Sequence, residues 1–280
     1  LRYGPDVKRA AIDNPIQVIK KADGEVVLQP GPVRLVYNAK DDAPYFFPQG
    51  QATLIDTGGG QKAERLLTSD DALPTLGICL RAGMCTFYKP QIEQIVVEQA
   101  GPVRASIRFS GSHVHKGNKM FRYVARVHAW RGRPYVRVHY TLVNDRQDAL
   151  MAEFEWLTVS FGVKPFGKEW FLLNGKDADQ GRLFQVDETH YRLDDKPVDG
   201  RACGWAAAGS EEGGLAVGLR EFWQNWPKAI DAGPGFVTLD LFPKLPAGLY
   251  DGKPLKEESK LYYYLRNGEY TLKVGAAKTH

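Results

Sequence analysis

Residues 123–143 read YVARVHAWRGRPYVRVHYTLV, and their alternation decides the fold. In Tyr123–Trp130 the odd positions Tyr123, Ala125, Val127 and Ala129 are small or apolar, while the even ones include Arg126, His128 and Trp130. In Tyr135–Val143 the parity reverses. Val136, Val138, Tyr140 and Leu142 are apolar, and Arg137, His139 and Thr141 are polar. Strict alternation marks strands with one buried face. Arg131-Gly132-Arg133-Pro134 suits a tight hairpin between them. Whichever short even-numbered loop forms there, His128 is expected opposite Arg137, Arg126 opposite His139 and Trp130 opposite Tyr135.

The preceding stretch Val103–Phe109 fits the same scheme, with Val103, Ala105, Ile107 and Phe109 inward. Arg104, Ser106 and Arg108 then point outward, beside Arg122 and Arg126 if the pairing is antiparallel. One sheet face would carry Arg104, Arg108, Arg122, Arg126 and Arg137 with His128 and His139, and no acid from these three strands. Either an acidic neighbour covers that face or an anion visits it. Met151–Phe161 reads as the next strand, with Glu153 and Glu155 on one side. Placed beside Tyr135–Val143, those two carboxylates would neutralise Arg137 and Arg126 by ordinary cross-strand pairing. The sequence leaves both explanations open.

The wider composition suits a β protein. The chain has 280 residues, long enough for one large β domain or two smaller ones. Its 43% hydrophobic and 25% charged residues are ordinary for a soluble globular protein. Its 29 glycines, 17 prolines and many short alternating segments favour strands over helices. A net charge of +4 without any Lys/Arg run does not point to nucleic acid. No apolar stretch is long enough to span a membrane, and no signal peptide is visible at Leu1. The chain does not start with Met, so it is expected to be a processed protein or a piece of a longer one. Cys79 and Cys85 could close a short loop, and an odd third thiol, Cys203, is left over. The compartment stays undecided from the cysteines, with a secreted or periplasmic location favoured.

Three motifs bear on possible chemistry. Thr57-Gly58-Gly59-Gly60 lacks the Gly-Lys-Ser/Thr ending of a phosphate loop and reads as a flexible loop. His113-Val114-His115 could offer two imidazoles to a metal, but a hairpin tip is the better reading; no metal or cofactor is expected. Trp223-Gln224-Asn225-Trp226-Pro227 does not fit strand alternation. Its indoles suit the apolar faces of sugars and its amides suit hydroxyls, or else the indoles plug a gap between sheets. Phe161–Gly175 is read as a loop.

Four segments together resemble the central β-sandwich of exo-rhamnogalacturonan lyase-like proteins. They are Gly101-Pro102-Val103-Arg104-Ala105, the hairpin RVHAWRGRPYVRVHYTLVN (Arg126–Asn144), GGLAVGLREFWQNWPKAI (Gly213–Ile230) and GEYTLKVGAAKTH (Gly268–His280). Order and spacing match over about two-thirds of the chain, Ile92–His280. The resemblance implies an all-β fold, a large antiparallel two-sheet sandwich of the galactose-mutarotase-like supersandwich type. Residues 92–280 would form the sandwich and residues 1–91 an N-terminal β segment packed on it or continuous with it. It also implies an α/α toroid C-terminal to the sandwich, and the present chain ends where that toroid should begin.

On this reading the parent protein is a polysaccharide lyase that cleaves an acidic, rhamnose-containing polysaccharide by β-elimination. That chemistry needs a carboxylate to be neutralised, an α-proton removed and a leaving oxygen protonated. The catalytic candidates are His128, His139 and Arg137. The substrate-binding candidates are Arg126, Trp130, Tyr135, Arg220, Trp223, Asn225 and Trp226. The expected partners are an acidic polysaccharide or oligosaccharide and the toroid of the same protein, with no nucleic acid and no membrane. Two alternatives stand beside it: a non-catalytic carbohydrate-binding or structural module, and a mutarotase-like epimerase using His128 or His139 with Glu153.

Overall fold

The computed structural model describes residues 11–31, 33–38, 53–54, 77–82, 86–162, 170–174, 176–178, 181–210, 213–233, 236–250, 265–266 and 269–280. The expected glycine loop at Thr57–Gly60 and the Cys85 end of the expected Cys79–Cys85 closure lie outside them, while Cys203 is an exposed free thiol. No helix among the described residues is long and apolar enough to cross a membrane.

The chain is all-β, and every described strand pair is antiparallel. It opens with a meander, β1 (Gln17–Lys20), β2 (Val26–Gln29), β3 (Val33–Tyr37) and β4 (Thr53–Leu54). Next come β5 (Gly77–Ala82), β6 (Thr86–Ala100), β7 (Arg104–His115), β8 (Asn118–Trp130) and β9 (Val136–Val143). They are followed by β10 (Met151–Phe154), β11 (Trp156–Gly162), β12 (Trp170–Leu173), β13 (Lys176–Ala178), β14 (Gly181–Gln185), β15 (His190–Leu193) and β16 (Lys196–Asp199). The remaining strands are β17 (Trp205–Ser210), β18 (Gly213–Gly218), β19 (Lys228–Gly233), β20 (Phe236–Phe242), β21 (Leu265–Arg266), β22 (Glu269–Lys273) and β23 (Ala277–Thr279).

Twelve strands form one sheet in the order β16-β15-β14-β19-β20-β11-β5-β6-β7-β8-β9-β23. Strand β6 is its pivot: Thr86–Tyr88 pair with β5, and Lys89–Ala100 pair with β7. The four-stranded sheet β13-β12-β17-β18 packs through β17 across β19 and β20, and a three-stranded sheet, β10-β22-β21, completes the set. The sandwich expected from sequence is therefore present, with its layers drawn from more sheets than two.

Alternation builds the core. Ala105, Ile107, Phe109, Tyr123, Ala125, Val127, Ala129 and Leu142 are fully buried, all on one face of β7–β8–β9. Phe154 of β10 joins this face to the other half. Its ring lies 5.4 Å from Phe121 of β8, 5.0 Å from Phe242 of β20 and 5.3 Å from Tyr270 of β22. Burying one such phenyl ring contributes roughly 1.5–3 kcal/mol. On the far half, Arg182 of β14 reaches Asp231 of β19 and, at 2.8 Å, Asp240 of β20. Burial pushes the Asp240 carboxyl up to about 6, against the opposing pull of Arg182.

Several sequence expectations need correction. Met151–Phe161 is not one strand. It breaks at Glu155 into β10 and β11, which belong to different sheets. Val103 is 50% exposed, because β7 begins one residue later. His113 is not at a hairpin tip. Strand β7 runs on to His115, and the turn falls at Lys116 and Gly117, both with positive φ. His113 is fully buried, its Nε2 bonded to the Tyr140 hydroxyl, and burial lowers its pKa to about 3. The expected loop at Phe161–Gly175 contains β12.

Candidate functional site

The register is the one the sequence predicts. His128 stands opposite Arg137 and Arg126 opposite His139. On the other side Arg108 stands opposite Arg126, Ser106 opposite His128 and Arg104 opposite Trp130. The Trp130 and Tyr135 rings meet at 5.9 Å beside the turn. Arg104, Arg108, Arg126, His128, Arg137 and His139 thus share the outer face of three consecutive strands. Arg122 lies further along, opposite Ser112.

An acid does reach this face, but from β6 rather than from Glu153 or Glu155. Strand β10 pairs with β22, not with β9, and the outer neighbour of β9 is β23. Strand β6 carries two register shifts against β7, between Ile92 and Gln94 and between Val97 and Gln99. Each shift skips a glutamate. A bulge turns one extra side chain out of alternation, and here it delivers Glu93 and Glu98 to the cations. Glu98 meets Arg108 at 3.2 Å and Arg126 at 3.1 Å. Glu93 accepts from Lys119 at 2.7 Å and from Ser112 at 3.0 Å. Gly111 makes the first bulge sterically possible, since a Cβ there would lie 1.9 Å from the Gln91 carbonyl oxygen.

The face is not sealed. The Arg126 side chain is 42% exposed and that of Glu98 32%. Arg104 and Arg137 are exposed, and Tyr135 is 54% exposed. Arg104 donates to His128 Nδ1 at 3.1 Å, and the His128 and His139 rings meet edge-on at 5.0 Å. Burial, then the Arg104 charge and His139, lower the pKa of His128. Burial, then Arg137 and Arg220, lower that of His139. Both shifts favour the neutral imidazole, and the Nδ1 lone pair of His128 is already taken up by Arg104.

The Trp-Gln-Asn-Trp segment is divided. Arg220, in the turn after β18, lies near enough to His139 to act on its proton, although it also meets Glu221 at 3.3 Å. Phe222 is buried and packs on Gly204, where a Cβ would come within 2.2 Å of the Phe222 Cβ. This phenylalanine, rather than either indole, fills the gap. Trp223 is half-buried, with the Arg201 guanidinium 3.9 Å from its ring centroid. Asn225 accepts from Lys278 at 2.9 Å. Trp226 is half-buried, 6.1 Å from the Tyr250 ring. The structure thus gathers His128, His139, Arg137, Arg126, Trp130 and Tyr135 on one surface and brings Arg220 to it. Trp223, Asn225 and Trp226 are engaged with Arg201, Lys278 and Tyr250. Sequence reasoning missed Glu98 as the counter-ion, and Arg104 and Ser106 as site members. Their positions in the alternation were the available signal for the last two.

Residues 81–163 and 194–234 match the family model described as the PcRGLX-like protein central beta sandwich domain, which takes in β6–β11 and the turn after β18. The chain carries a PcRGLX-like central β-sandwich. The family of exo-rhamnogalacturonan lyase-like proteins expected from the hairpin and the Trp-Gln-Asn-Trp-Pro segment is thereby borne out. Among solved structures, a galactose mutarotase-like protein from Lactobacillus casei ATCC 334 is similar at 15% identity, over 94% of this chain and 97% of that one, with a TM-score of 0.37. No curated protein matches. The PcRGLX-like region includes the whole β7–β9 face.

Proposed function

We propose that this chain is the β-sandwich portion of a protein that cleaves an acidic, rhamnose-containing polysaccharide by β-elimination, and that the outer face of β7–β9 supplies part of its saccharide-binding surface. One observation carries the reading. On a PcRGLX-like sandwich, a solvent-open face holds arginines, neutral imidazoles and an exposed tyrosine, and its own acids do not balance it. Guanidinium groups suit carboxylates because their paired N–H donors match the two oxygens. Arg137 would neutralise a uronate carboxylate. The His128 Nδ1 lone pair is taken up by Arg104, so the base is a neutral His139, in the right state to take the proton next to the carboxylate and return it to the leaving oxygen as the glycosidic C–O bond breaks. Pectin-type degradation is the corresponding biological role.

The mutarotase-like alternative loses its named base. Glu153 sits on β10 in the three-stranded sheet, paired opposite Thr271, and not beside β9. The test of the main reading is the absorbance of the unsaturated uronate product when the full-length protein is mixed with rhamnogalacturonan. Product is expected; folded protein that yields none overturns the reading. The isolated chain is expected to show little turnover and a salt-sensitive affinity for acidic oligosaccharide.

A further inference from the structure

The cationic face changes character along its strands. Away from the hairpin turn, each arginine meets a carboxylate. Arg122 meets Asp145 at 3.3 Å, and Arg108 and Arg126 share Glu98. Toward the turn, the described residues place no carboxylate on Arg104 or Arg137. These two guanidinium groups instead lie 5.9 and 5.6 Å from the centroid of Trp130. Beside them in the same rows of the sheet, Ser106 and His128 are 4% and 7% exposed. Ser106 shares the outer face with His128 by register, and its buried hydroxyl oxygen meets no hydrogen-bond partner among the described residues. A buried polar group without a partner is uncommon in a folded protein, so each one asks for an explanation.

We infer that Arg104, Ser106, His128 and Arg137 form a subsite for one carboxylate borne on a sugar ring, with Tyr135 beside the ring and Glu98 holding Arg108 and Arg126 out of reach as a built-in counter-ion. This rests on the saccharide-binding reading above and narrows it to one end of the face. The hydrogen bonding already fixes part of the chemistry. A guanidinium group only donates, so His128 Nδ1 must carry a lone pair and the ring's proton must sit on Nε2. His128 is then a neutral donor and adds no charge of its own. With Arg220 paired to Glu221, the open end offers the two guanidinium charges of Arg104 and Arg137, a hydroxyl and one imidazole N–H, which suits a single monoanion. A second carboxylate further along would meet Glu98, and that repulsion gives the face a direction as well as a preference. The exposed Tyr135 ring, tilted against Trp130 at 5.9 Å, offers an apolar shelf next to the charges.

The experiment is calorimetric titration of the full 280-residue chain at pH 7 and low salt. Two probes are used, a galacturonate–rhamnose disaccharide and the same disaccharide with its carboxyl group reduced. Arg104→Gln and Arg137→Gln should each weaken the acidic probe by about tenfold or more, the scale of a lost charge-assisted hydrogen bond. Ser106→Ala should weaken it by a few-fold. Arg108→Gln and Arg126→Gln should change it less than about twofold, and Glu98→Gln should tighten it by freeing both arginines. The reduced probe should bind weakly to every variant. Arg104→Lys, which keeps the charge and the packing stem, separates lost binding from lost folding.

Wild type that ignores the acidic probe overturns the functional reading itself. Wild type that binds, with Arg108→Gln and Arg126→Gln as damaging as Arg104→Gln and Arg137→Gln, overturns only the subsite. Equal affinity for the two probes also overturns the subsite, because the ring and not the carboxylate is then being recognised. An unchanged affinity in Glu98→Gln removes the role given to Glu98.

Discussion

In the β14–β19–β20 part of the large sheet, Arg182 stands opposite Asp231 in register and reaches Asp240 on the next strand, so two carboxylates hold one guanidinium group. In the β7–β8–β9 part, Arg137 stands opposite His128 and Arg104 opposite Trp130. The same side chain is used in the same kind of sheet. What differs is the residue that register places across from it. An arginine with acids on its neighbouring strands is locked into the fold. An arginine facing imidazole and indole keeps most of its five donors for something else. Counting arginines on a face says little about function until their ladder partners are known.

The largest effect should come from the locked arginine. Arg182→Ala leaves two carboxylates without their counter-ion and should cost about 2–3 kcal/mol, less than the penalty for a fully buried pair because the Arg182 side chain is 36% exposed and water screens it. Urea unfolding at pH 7 measures it. A loss below about 1 kcal/mol would break the comparison, since Arg182 would then behave like a surface charge.

The same cluster should carry a pH signature. Burial raises the folded pKa of Asp240 to about 6 from an ordinary 3.8, so between those values the folded state binds more protons than the unfolded state. Stability from this group therefore falls as pH rises from about 4 to 6. Asp231 is raised in the same direction, again by burial first. Asp240→Asn should remove part of that downward slope when unfolding midpoints are compared with wild type across the interval. A variant that tracks wild type at every pH would show that the carboxyl titrates alike in both states.

The open arginines should matter much less to folding. Arg104→Ala and Arg137→Ala are expected to change stability by less than about 1 kcal/mol, even though each is given a role in binding. Smaller still is Arg122→Ala. Its pair with Asp145 is exposed on both sides, and its loss should stay within about 0.5 kcal/mol. If Arg104→Ala unfolded the chain as readily as Arg182→Ala, the contrast between the two regions would disappear.

The β7–β9 register was legible because unbroken alternation and a short turn leave few ways to pair. The counter-ions were not. Glu93 and Glu98 are bulge residues, so their side chains leave the alternation that the eye follows. Their neighbours Ile92 and Ile95 keep an apolar look that gives no hint of the shift. Glu153 and Glu155 failed for a related reason. The chain breaks at Glu155 and changes sheets, so a strand adjacent in sequence is not adjacent in space. Strand β19 carries little sequence mark of a buried strand, because its first residue, Lys228, is a lysine that is buried, donating to the Leu241 carbonyl oxygen while burial lowers its pKa. Strand β12 is four residues long and shows no alternation. In the site itself, the imidazoles, Arg137 and the turn aromatics followed from parity. The division of the Trp-Gln-Asn-Trp segment depended on partners remote in sequence: Arg201, Tyr250 and Lys278.

The most direct test follows the histidine ring signals by NMR while an acidic galacturonate–rhamnose oligosaccharide is added. The account predicts that the His128 and His139 ring resonances move with saturation, while those of His113, buried beneath the same strands, stay in place. Binding that leaves His128 and His139 unmoved, or that perturbs only the indoles of Trp223 and Trp226, would contradict it.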